Sequence, residues 1–328
     1  MAQHTLTASP ECTLVVGELF DDYVVKPTLR RFTPGNGAMH RREAWYCLGE
    51  RATYFVKFFE TGDTGWPPEA AFFDTYASDL DFVVEGRTFT GEGLGPFSHA
   101  IVTKEVSGTP LSTLLEDSRG TEHHADLQMK GAQSLSRLHN VAVTGFGSLE
   151  TGGFEFGSWD DFLSGMAQQR ASKRERLLAG GLTDYQIDHA LDVILQASGV
   201  EVVPVLCHGD PKPAHLIVGE KNNTTLIDFG RVQGNTPYRD CLQYGSFDRV
   251  YFDPTVLTGT LLPNPPIASE VLRADALIKV LGLVIYSAKS GDKEHGAVMC
   301  HITDRILAGD EALTSPDITS VERFFSGV

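Results

Sequence analysis

The sequence predicts an α+β fold of two lobes, with an antiparallel sheet and a helix in a small N-terminal lobe and mainly helices in a larger C-terminal lobe. Runs with strand character, such as ATYFVKFF at 52–59, concentrate in the first third of the chain. Helical stretches dominate the remainder. A chain of 328 residues is also long enough for two ordinary domains.

The first third alternates apolar runs with turn formers. Short apolar runs at 13–20 and 23–25 open it, and the residues Gly35, Asn36 and Gly37 then separate two candidate strands. Because glycine lets the backbone approach a ligand closely, such a loop can fold over nucleotide phosphates. Without the later motif, an ordinary hairpin turn is the favoured explanation of the same residues.

Lys57 stands among apolar residues in the strand at 52–59, where a lysine needs a partner. The next helix is expected from about Pro68 to Tyr76, because two prolines begin it and Glu69 lies in its first turn. Glu69 is therefore the candidate partner of Lys57. The alternative is an exposed lysine on an edge strand.

The later part of the chain carries the helical stretches. We expect them at 127–139, from 159 to about 178, and at 183–197, 269–287 and 293–308. His139 ends the first of these helices, and we interpret it as a structural residue, because a helix C-terminus favours a cation or a polar cap.

The stretch from Val202 to Asp240 carries the chemistry. It contains His-Gly-Asp at 208–210, a predicted hairpin of strands at 216–218 and 224–227, and Asp-Phe-Gly at 228–230. This order fits the phosphoryl-transfer template H-R-D-x-x-x-x-N followed by D-F-G, in which the first Asp orients the acceptor hydroxyl and the Asn and second Asp hold magnesium.

Two positions depart from that template. Gly209 replaces its arginine, and His215 replaces the metal-binding asparagine. Imidazole nitrogen is a softer ligand than magnesium prefers, so His215 either ligates the metal or acts through a water or a phosphate oxygen. Asp210 and Lys212 are the candidate catalytic residues, and His215 and Asp228 are the candidate metal ligands.

The His-Gly-Asp pattern resembles the aminoglycoside phosphotransferase family, whose usual form is H-G-D-x-x-x-x-N followed by I-D-[WF]. The segment Gly234-Asn235-Thr236-Pro237 with Asp240 is similar to that family's G-D-P-x-x-D, except at Asn235. Histidine at the asparagine position resembles the macrolide phosphotransferases of the family. No A-P-E sequence follows Asp228, which favours a small-molecule acceptor over a protein.

The resemblance implies a protein-kinase-like fold and its division. Residues 12–103 would form the nucleotide-binding N-lobe, 104–108 a hinge linker, and 109–328 a C-lobe with the catalytic loop and the acceptor site. It also implies that Lys57, held by Glu69, and the loop of Gly35, Asn36 and Gly37 contact the nucleotide phosphates. The carbonyl of Lys104 and the amide of Val106 would contact the purine.

Composition excludes several other classes. The formal net charge of −16 disfavours a nucleic-acid partner, which needs clustered lysine and arginine, and it permits a cationic substrate. Five widely spaced cysteines without a CxxC pair indicate neither a disulfide framework nor a zinc site. A reducing cytoplasm fits these cysteines. The N-terminus lacks a leader pattern and the most apolar helical stretch contains Lys279, so we expect neither export nor a membrane partner. The chain is expected to be a monomer or a homodimer.

These observations favour a kinase that uses magnesium and transfers the γ-phosphate of ATP or GTP to a hydroxyl of a small molecule, with an antibiotic of the aminoglycoside, macrolide or nucleoside type as the leading acceptor. Three alternatives stay open: a kinase of a metabolic sugar or amino alcohol, a nucleotide-binding pseudokinase without turnover, and a metal-dependent hydrolase. The hydrolase would leave Lys57 and Glu69 without a purpose.

Overall fold

The computed structural model describes residues 10–22, 24–30, 42–63, 66–220, 223–246 and 268–309. These residues form two compact units. One comprises the described residues up to Pro110 together with Leu149–Gly152 and His215–Arg231, and the other comprises Leu111–Ser148, Gly153–Ala214 and the described residues from Val232 onward. Each unit is described by itself below.

A five-stranded antiparallel sheet forms the centre of the first unit. Its strands follow the order β1-β2-β3-β5-β4, and their bounds are β1 Val24–Arg30, β2 Arg42–Gly49, β3 Thr53–Phe59, β4 Gly86–Thr90 and β5 His99–Lys104. Strand β3 lies in the middle, with Lys57 opposite Ala44 of β2 and Ile101 of β5. The sheet therefore holds Lys57 from both sides.

A helix packs on each face of this sheet. Helix α1 (Pro10–Phe20) covers the face where Val56, Phe58 and Val102 are buried with its own Val15 and Val16. Helix α2 (Trp66–Thr75) buries Glu69, Phe72 and Phe73 among other residues. Because side chains alternate along a strand, Lys57 and Phe59 point to the face opposite Val56 and Phe58, which is the face toward α2.

A small sheet completes the first unit. It consists of β6 (Thr109–Pro110), β10 (Leu216–Val218) and β11 (Thr224–Leu226) in the order β11-β10-β6. Leu216 pairs with Leu226 in the antiparallel hairpin, and Leu226 exchanges backbone hydrogen bonds with Phe82 and Val84. This hairpin delivers the Asp-Phe-Gly sequence that follows it, and it lies where the sequence predicted one.

Helices make up most of the second unit. They are α3 (Leu111–Asp117), α4 (His123–His139), α5 (Trp159–Ala171), α6 (Arg174–Ala179), α7 (Asp184–Gln196), α8 (Pro237–Ser246), α9 (Ser269–Ser290) and α10 (Lys293–Leu307). Their core includes Trp159, Phe162, Ile194, Leu277 and Leu281. Trp159 donates its indole hydrogen to the Ala197 carbonyl at 3.1 Å, which satisfies its polar atom within that core.

A four-stranded sheet carries the His-Gly-Asp loop. Its order is β8-β7-β12-β9, with β7 Phe146–Glu150, β8 Gly153–Phe156, β9 Val205–Cys207 and β12 Gln233–Asn235. The loop begins directly after β9, whose residues pair with β12. The sheets of the first unit and the helices of the second confirm the predicted α+β class.

Candidate active site

Lys57 and Glu69 form a close ion pair in the first unit. The Lys57 ammonium donates to both carboxylate oxygens of Glu69, at 2.8 and 3.0 Å. Burial raises the pKa of Glu69, and the lysine charge opposes that rise. Burial lowers the pKa of Lys57, but the two neighbouring carboxylates raise it more, so the ammonium keeps its proton. The pair proposed from the sequence is thus brought together.

Asp228 meets the same lysine. The Lys57 ammonium donates to Oδ1 of Asp228 at 2.7 Å, so one cation is shared by two carboxylates. Asp228 adopts a left-handed backbone with φ 66°, which for a residue other than glycine is uncommon and turns the chain sharply after β11. Its carboxylate is 44% exposed and therefore accessible to a ligand.

Phe229 fixes the direction of Asp228. Its buried ring stacks on Phe72 of α2, with centroids 3.8 Å apart and planes at 13°, and it meets Phe73 edge-on. Its backbone amide donates to the Glu69 carboxylate. The helix that supplies Glu69 is thereby tied to the residue beside Asp228.

His215 lies beside the second oxygen of Asp228, with Nε2 3.4 Å from Oδ2. It ends a short 3-10 helix (Pro213–His215) immediately before β10. The half-exposed Asp228 carboxylate offers the oxygen ligands that magnesium prefers, whereas the imidazole of His215 offers nitrogen. Asp228 therefore fits as a ligand to a magnesium–nucleotide, and the imidazole of His215 fits better as a neighbour that holds the carboxylate.

The His-Gly-Asp loop lies in the second unit. The Lys212 ammonium donates to Oδ2 of Asp210 at 3.0 Å, and the Lys212 amide donates to the Asp210 carbonyl at 2.8 Å. The Asp210 side chain is 14% exposed, whereas that of Lys212 is 42% exposed. The loop thus presents one carboxylate with its own counter-cation.

Asp240 anchors that loop from helix α8. Its buried carboxylate accepts the backbone hydrogens of His208 and Gly209, at 2.8 and 2.9 Å. The same carboxylate lies 3.0 Å from Nε2 of His139, the last residue of α4. Burial would raise the pKa of Asp240, but the hydrogen bond and charge of His139 lower it more, with His208 and the Gly209 amide contributing. Asp240 is therefore held as a carboxylate.

The side chains of His139, Cys207 and Asp240 lie close enough together to ligate a metal, and among the described residues no other group of three does so. Each of the three already makes a hydrogen bond within the protein. Asp240 holds two amides, and the Cys207 thiol donates to the Thr236 carbonyl at 3.2 Å. Burial raises the pKa of Cys207 well above its usual value, which disfavours the thiolate a metal needs.

The predicted purine contacts lie at the end of β5. The Lys104 amide donates to the Glu85 carbonyl and the Glu105 amide to the Thr53 carbonyl, which fixes this backbone. The Val106 amide has no hydrogen-bond partner among the described residues, so it can donate to a ligand. Gly35, Asn36 and Gly37 lie outside the described residues.

The phosphotransferase enzyme family model, APH, matches residues 35–247, which is more than half of the chain. The chain belongs to this family. No curated protein sequence matches it significantly. The family assignment confirms the resemblance and the enzyme class predicted from the sequence, so this APH-family chain is a small-molecule phosphotransferase.

Solved structures agree in fold. A thermostable mutant of aminoglycoside phosphotransferase APH(4)-Ia, in a ternary complex with ADP and hygromycin B, has a TM-score of 0.61 at 17% identity over 90% of this chain and 97% of that one. Spectinomycin phosphotransferase APH(9)-Ia, with ADP and spectinomycin, gives 0.54 at 12% identity over 98% and 99%. Choline kinase LicA from Streptococcus pneumoniae gives 0.53 at 13% identity over 91% and 98%.

Two residues of this APH-family site were not identified from the sequence. Asp240 was recognised only as part of a family-like segment, and His139 was interpreted as structural at a helix end. His139 and Asp240 are 101 positions apart in the chain, so no local pattern shows that they meet. A histidine ending an otherwise amphipathic helix is a faint signal for a buried carboxylate partner.

Proposed function

We propose that this chain transfers the γ-phosphoryl group of ATP or GTP to a hydroxyl group of a small molecule, and that an antibiotic is the leading acceptor class. The observation that carries the proposal is the ammonium of Lys57 shared between Glu69 and Asp228. A buried glutamate that holds a lysine beside a half-exposed aspartate suits binding of a phosphate chain together with its cation. Hydrolysis at a metal would not need this pair.

In the proposed reaction the acceptor oxygen forms a bond to the γ-phosphorus, and the bond from that phosphorus to the β–γ bridging oxygen breaks. Asp210 orients the hydroxyl and accepts its proton. Lys57 binds the nucleotide phosphates, and Lys212, which holds Asp210, offsets charge on the transferred group. Asp228 would hold magnesium, which when bound neutralises charge on the phosphate oxygens.

The acceptor is proposed to be cationic. The chain carries a formal net charge of −16, which attracts positively charged solutes. The neighbours bind hygromycin B and spectinomycin in their crystals, and the third is a choline kinase. An amino alcohol is therefore the second candidate acceptor, favoured by the choline kinase neighbour.

The compartment is proposed from the cysteines. All five are free thiols, and four of them are buried. Unpaired cysteines suit a reducing compartment, so we infer a cytoplasmic enzyme. Within the described ranges no helix is both long and apolar enough to cross a membrane.

A mass-spectrometric acceptor screen tests the proposal. The purified chain is incubated with magnesium and either ATP or GTP, together with panels of aminoglycosides, macrolides, nucleoside antibiotics, sugars and amino alcohols. We expect one acceptor class to gain about 80 Da, the mass of a transferred phosphoryl group. Nucleotide binding without any product would favour a pseudokinase, and phosphate release without an acceptor would favour a hydrolase.

A further inference from the structure

Trp66, the first residue of helix α2, packs against two strands of the five-stranded sheet. Its ring stacks on that of His99 with centroids 4.5 Å apart and planes at 12°, and it meets the Phe59 ring at 5.9 Å. His99 and Phe59 lie directly opposite each other in the β3–β5 ladder. The indole therefore sits on a cross-strand pair, which joins the start of the helix to both strands at once.

Trp66 and its partner Phe59 each lie close in the chain to one member of the Lys57–Glu69 ion pair. Glu69 follows Trp66 by three residues, which is about one helical turn. Lys57 precedes Phe59 by two residues on β3, so both side chains point to the same face of the sheet. Movement of the indole away from the strands would move Glu69 relative to Lys57.

The other end of α2 is held by different aromatic rings. Phe72 stacks on Phe229, and a Cβ at Gly86 of β4 would collide with the Phe73 ring. A helix of ten residues is thus attached by rings at both ends, with Glu69 between them. Since Glu69 is buried, its carboxylate tolerates little displacement from the ammonium that compensates its charge.

We propose that Trp66 is a positioning residue for phosphoryl transfer, because its stack on His99 and Phe59 sets the start of α2 so that Glu69 reaches Lys57. This inference rests on the proposed function. Loss of the indole would release the first turn of the helix, lengthen the ion pair and leave Lys57 less ordered for nucleotide phosphates. The ring acts through Glu69 and does not itself touch the nucleotide.

The test measures the dissociation constant of magnesium–ATP by calorimetry, which requires no known acceptor. An aromatic stack together with part of a charge-assisted contact corresponds to about a tenfold change, so we expect Trp66→Ala to weaken binding about tenfold. Trp66→Phe keeps a ring and should stay within about threefold of the wild type. In a Glu69→Gln background, Trp66→Ala should add less than about twofold, because its effect passes through Glu69.

Phe89→Ala is the matched control. Phe89 is a half-buried ring on β4 that packs against the core containing α1, so its removal costs packing without touching α2. We expect a lower melting temperature and a dissociation constant within about twofold of the wild type. If Trp66→Ala does not fold, His99→Leu serves as the second variant, because it removes the ring stack and keeps an apolar side chain. We expect it to weaken magnesium–ATP binding about threefold.

Three results would overturn the inference. In the first, Trp66→Ala, or its substitute His99→Leu, binds magnesium–ATP as tightly as the wild type. In the second, Phe89→Ala weakens binding as much as Trp66→Ala, and in the third, the effects of Trp66→Ala and Glu69→Gln are additive. The proposed function fails separately. Its failure would appear as no magnesium–ATP binding by the wild type, or as a Glu69→Gln variant that binds like the wild type.

Discussion

Gly209 and Asp228 both adopt left-handed backbone, with φ 77° and 66°. The His208 and Gly209 amides both donate to the Asp240 carboxylate, and the left-handed conformation of Gly209 turns the chain that follows toward Asp210. The phosphoryl-transfer template places arginine where this chain has Gly209, and the backbone gives a physical reason for glycine here. A residue with a Cβ would meet a cost of about 1–2 kcal/mol in this region.

Gly209→Ala should therefore lower kcat as well as the free energy of unfolding, whereas a glycine with the same backbone conformation outside the loop should affect only the free energy of unfolding. We expect about 1–2 kcal/mol of destabilisation and a fall in kcat of about tenfold or more, because the loop that carries Asp210 must shift to relieve the strain. Gly199→Ala is the matched control, since Gly199 has φ 79° and open space around it. Its loss of stability should be similar, with kcat unchanged, in urea unfolding and turnover assays. Equal kcat values for both variants would contradict the prediction.

Asp210→Asn keeps the size of the side chain and removes its charge. We expect kcat to fall by about a thousandfold with the acceptor that the screen identifies, because proton acceptance contributes factors of about 10²–10⁴. The affinity for magnesium–ATP should stay within about threefold of the wild type. Asp126→Asn removes a carboxylate that is 76% exposed on α4, and it should leave both quantities unchanged. Turnover at the wild-type rate would exclude the role of Asp210.

The sequence was sufficient to predict the ion pair of Lys57 and Glu69, because a lysine inside an apolar strand requires a nearby carboxylate. It did not identify the pairing of His139 with Asp240 or the stacking of Trp66 on His99. Those contacts join residues that are distant in the chain, and stacking depends on ring orientation, which no spacing encodes. The catalytic and metal-binding roles assigned to Asp210, Lys212, His215 and Asp228 stay predictions.

Two helices and one strand hold the His-Gly-Asp loop in place. Helix α4 supplies His139 from its last turn, helix α8 supplies Asp240 from its first turn, and β9 leads directly into the loop. The Asp240 side chain near the N-terminus of α8 also benefits from the helix dipole. Because the carboxylate is buried, removal of any one partner would leave polar groups without compensation.

The stability of this arrangement should depend on pH. The pKa of Asp240 is lowered in the folded chain, so its contribution is fully present above the ordinary carboxyl value of about 3.8 and is lost as the pH falls through the lower folded value. We expect Asp240→Asn to cost about 2–4 kcal/mol of unfolding free energy at pH 7, and less at pH 3. Urea titrations of both proteins at the two pH values measure this. A constant difference would contradict the assignment.

Elements with strong local signals were predicted well. The hairpin of β10 and β11 was expected at 216–218 and 224–227 and is found at Leu216–Val218 and Thr224–Leu226. The apolar run at 13–20 was less informative, because a short apolar run does not distinguish strand from helix. It lies within α1, whose apolar side chains are buried against the sheet. Tertiary packing therefore decided that element.

The two compact units do not follow the order of the chain. Residues His215–Arg231, which include the hairpin and Asp228, belong with the residues before Pro110. The candidate phosphate-binding and metal-binding residues Lys57, Glu69, His215 and Asp228 thus share one unit, although 145 residues lie between Glu69 and His215 in the sequence. The predicted lobe boundaries at 103 and 109 stay a prediction. The compact units describe how the chain packs, whereas the predicted lobes also assign nucleotide binding and acceptor binding.

Ligand binding should stabilise the chain in a metal-dependent way. At a magnesium–ATP concentration about 100 times the dissociation constant, the stabilisation expected is about 2.7 kcal/mol. Asp228→Asn should abolish most of the difference between ATP with magnesium and ATP with a chelator, because Asp228 is the proposed ligand. Thermal-shift measurements with both forms test this, and Asp126→Asn should respond like the wild type. A full magnesium response by Asp228→Asn would exclude that ligand.

The sharing of one ammonium by two carboxylates has a consequence for the order in which ligands arrive. Lys57, Glu69 and Asp228 together carry a net negative charge when the carboxylates are ionised, so a bare triphosphate anion would be repelled there. A triphosphate already complexed to a divalent cation carries less negative charge and brings a partner for Asp228. The side chains would therefore select the chelated nucleotide from solution and reject the free anion.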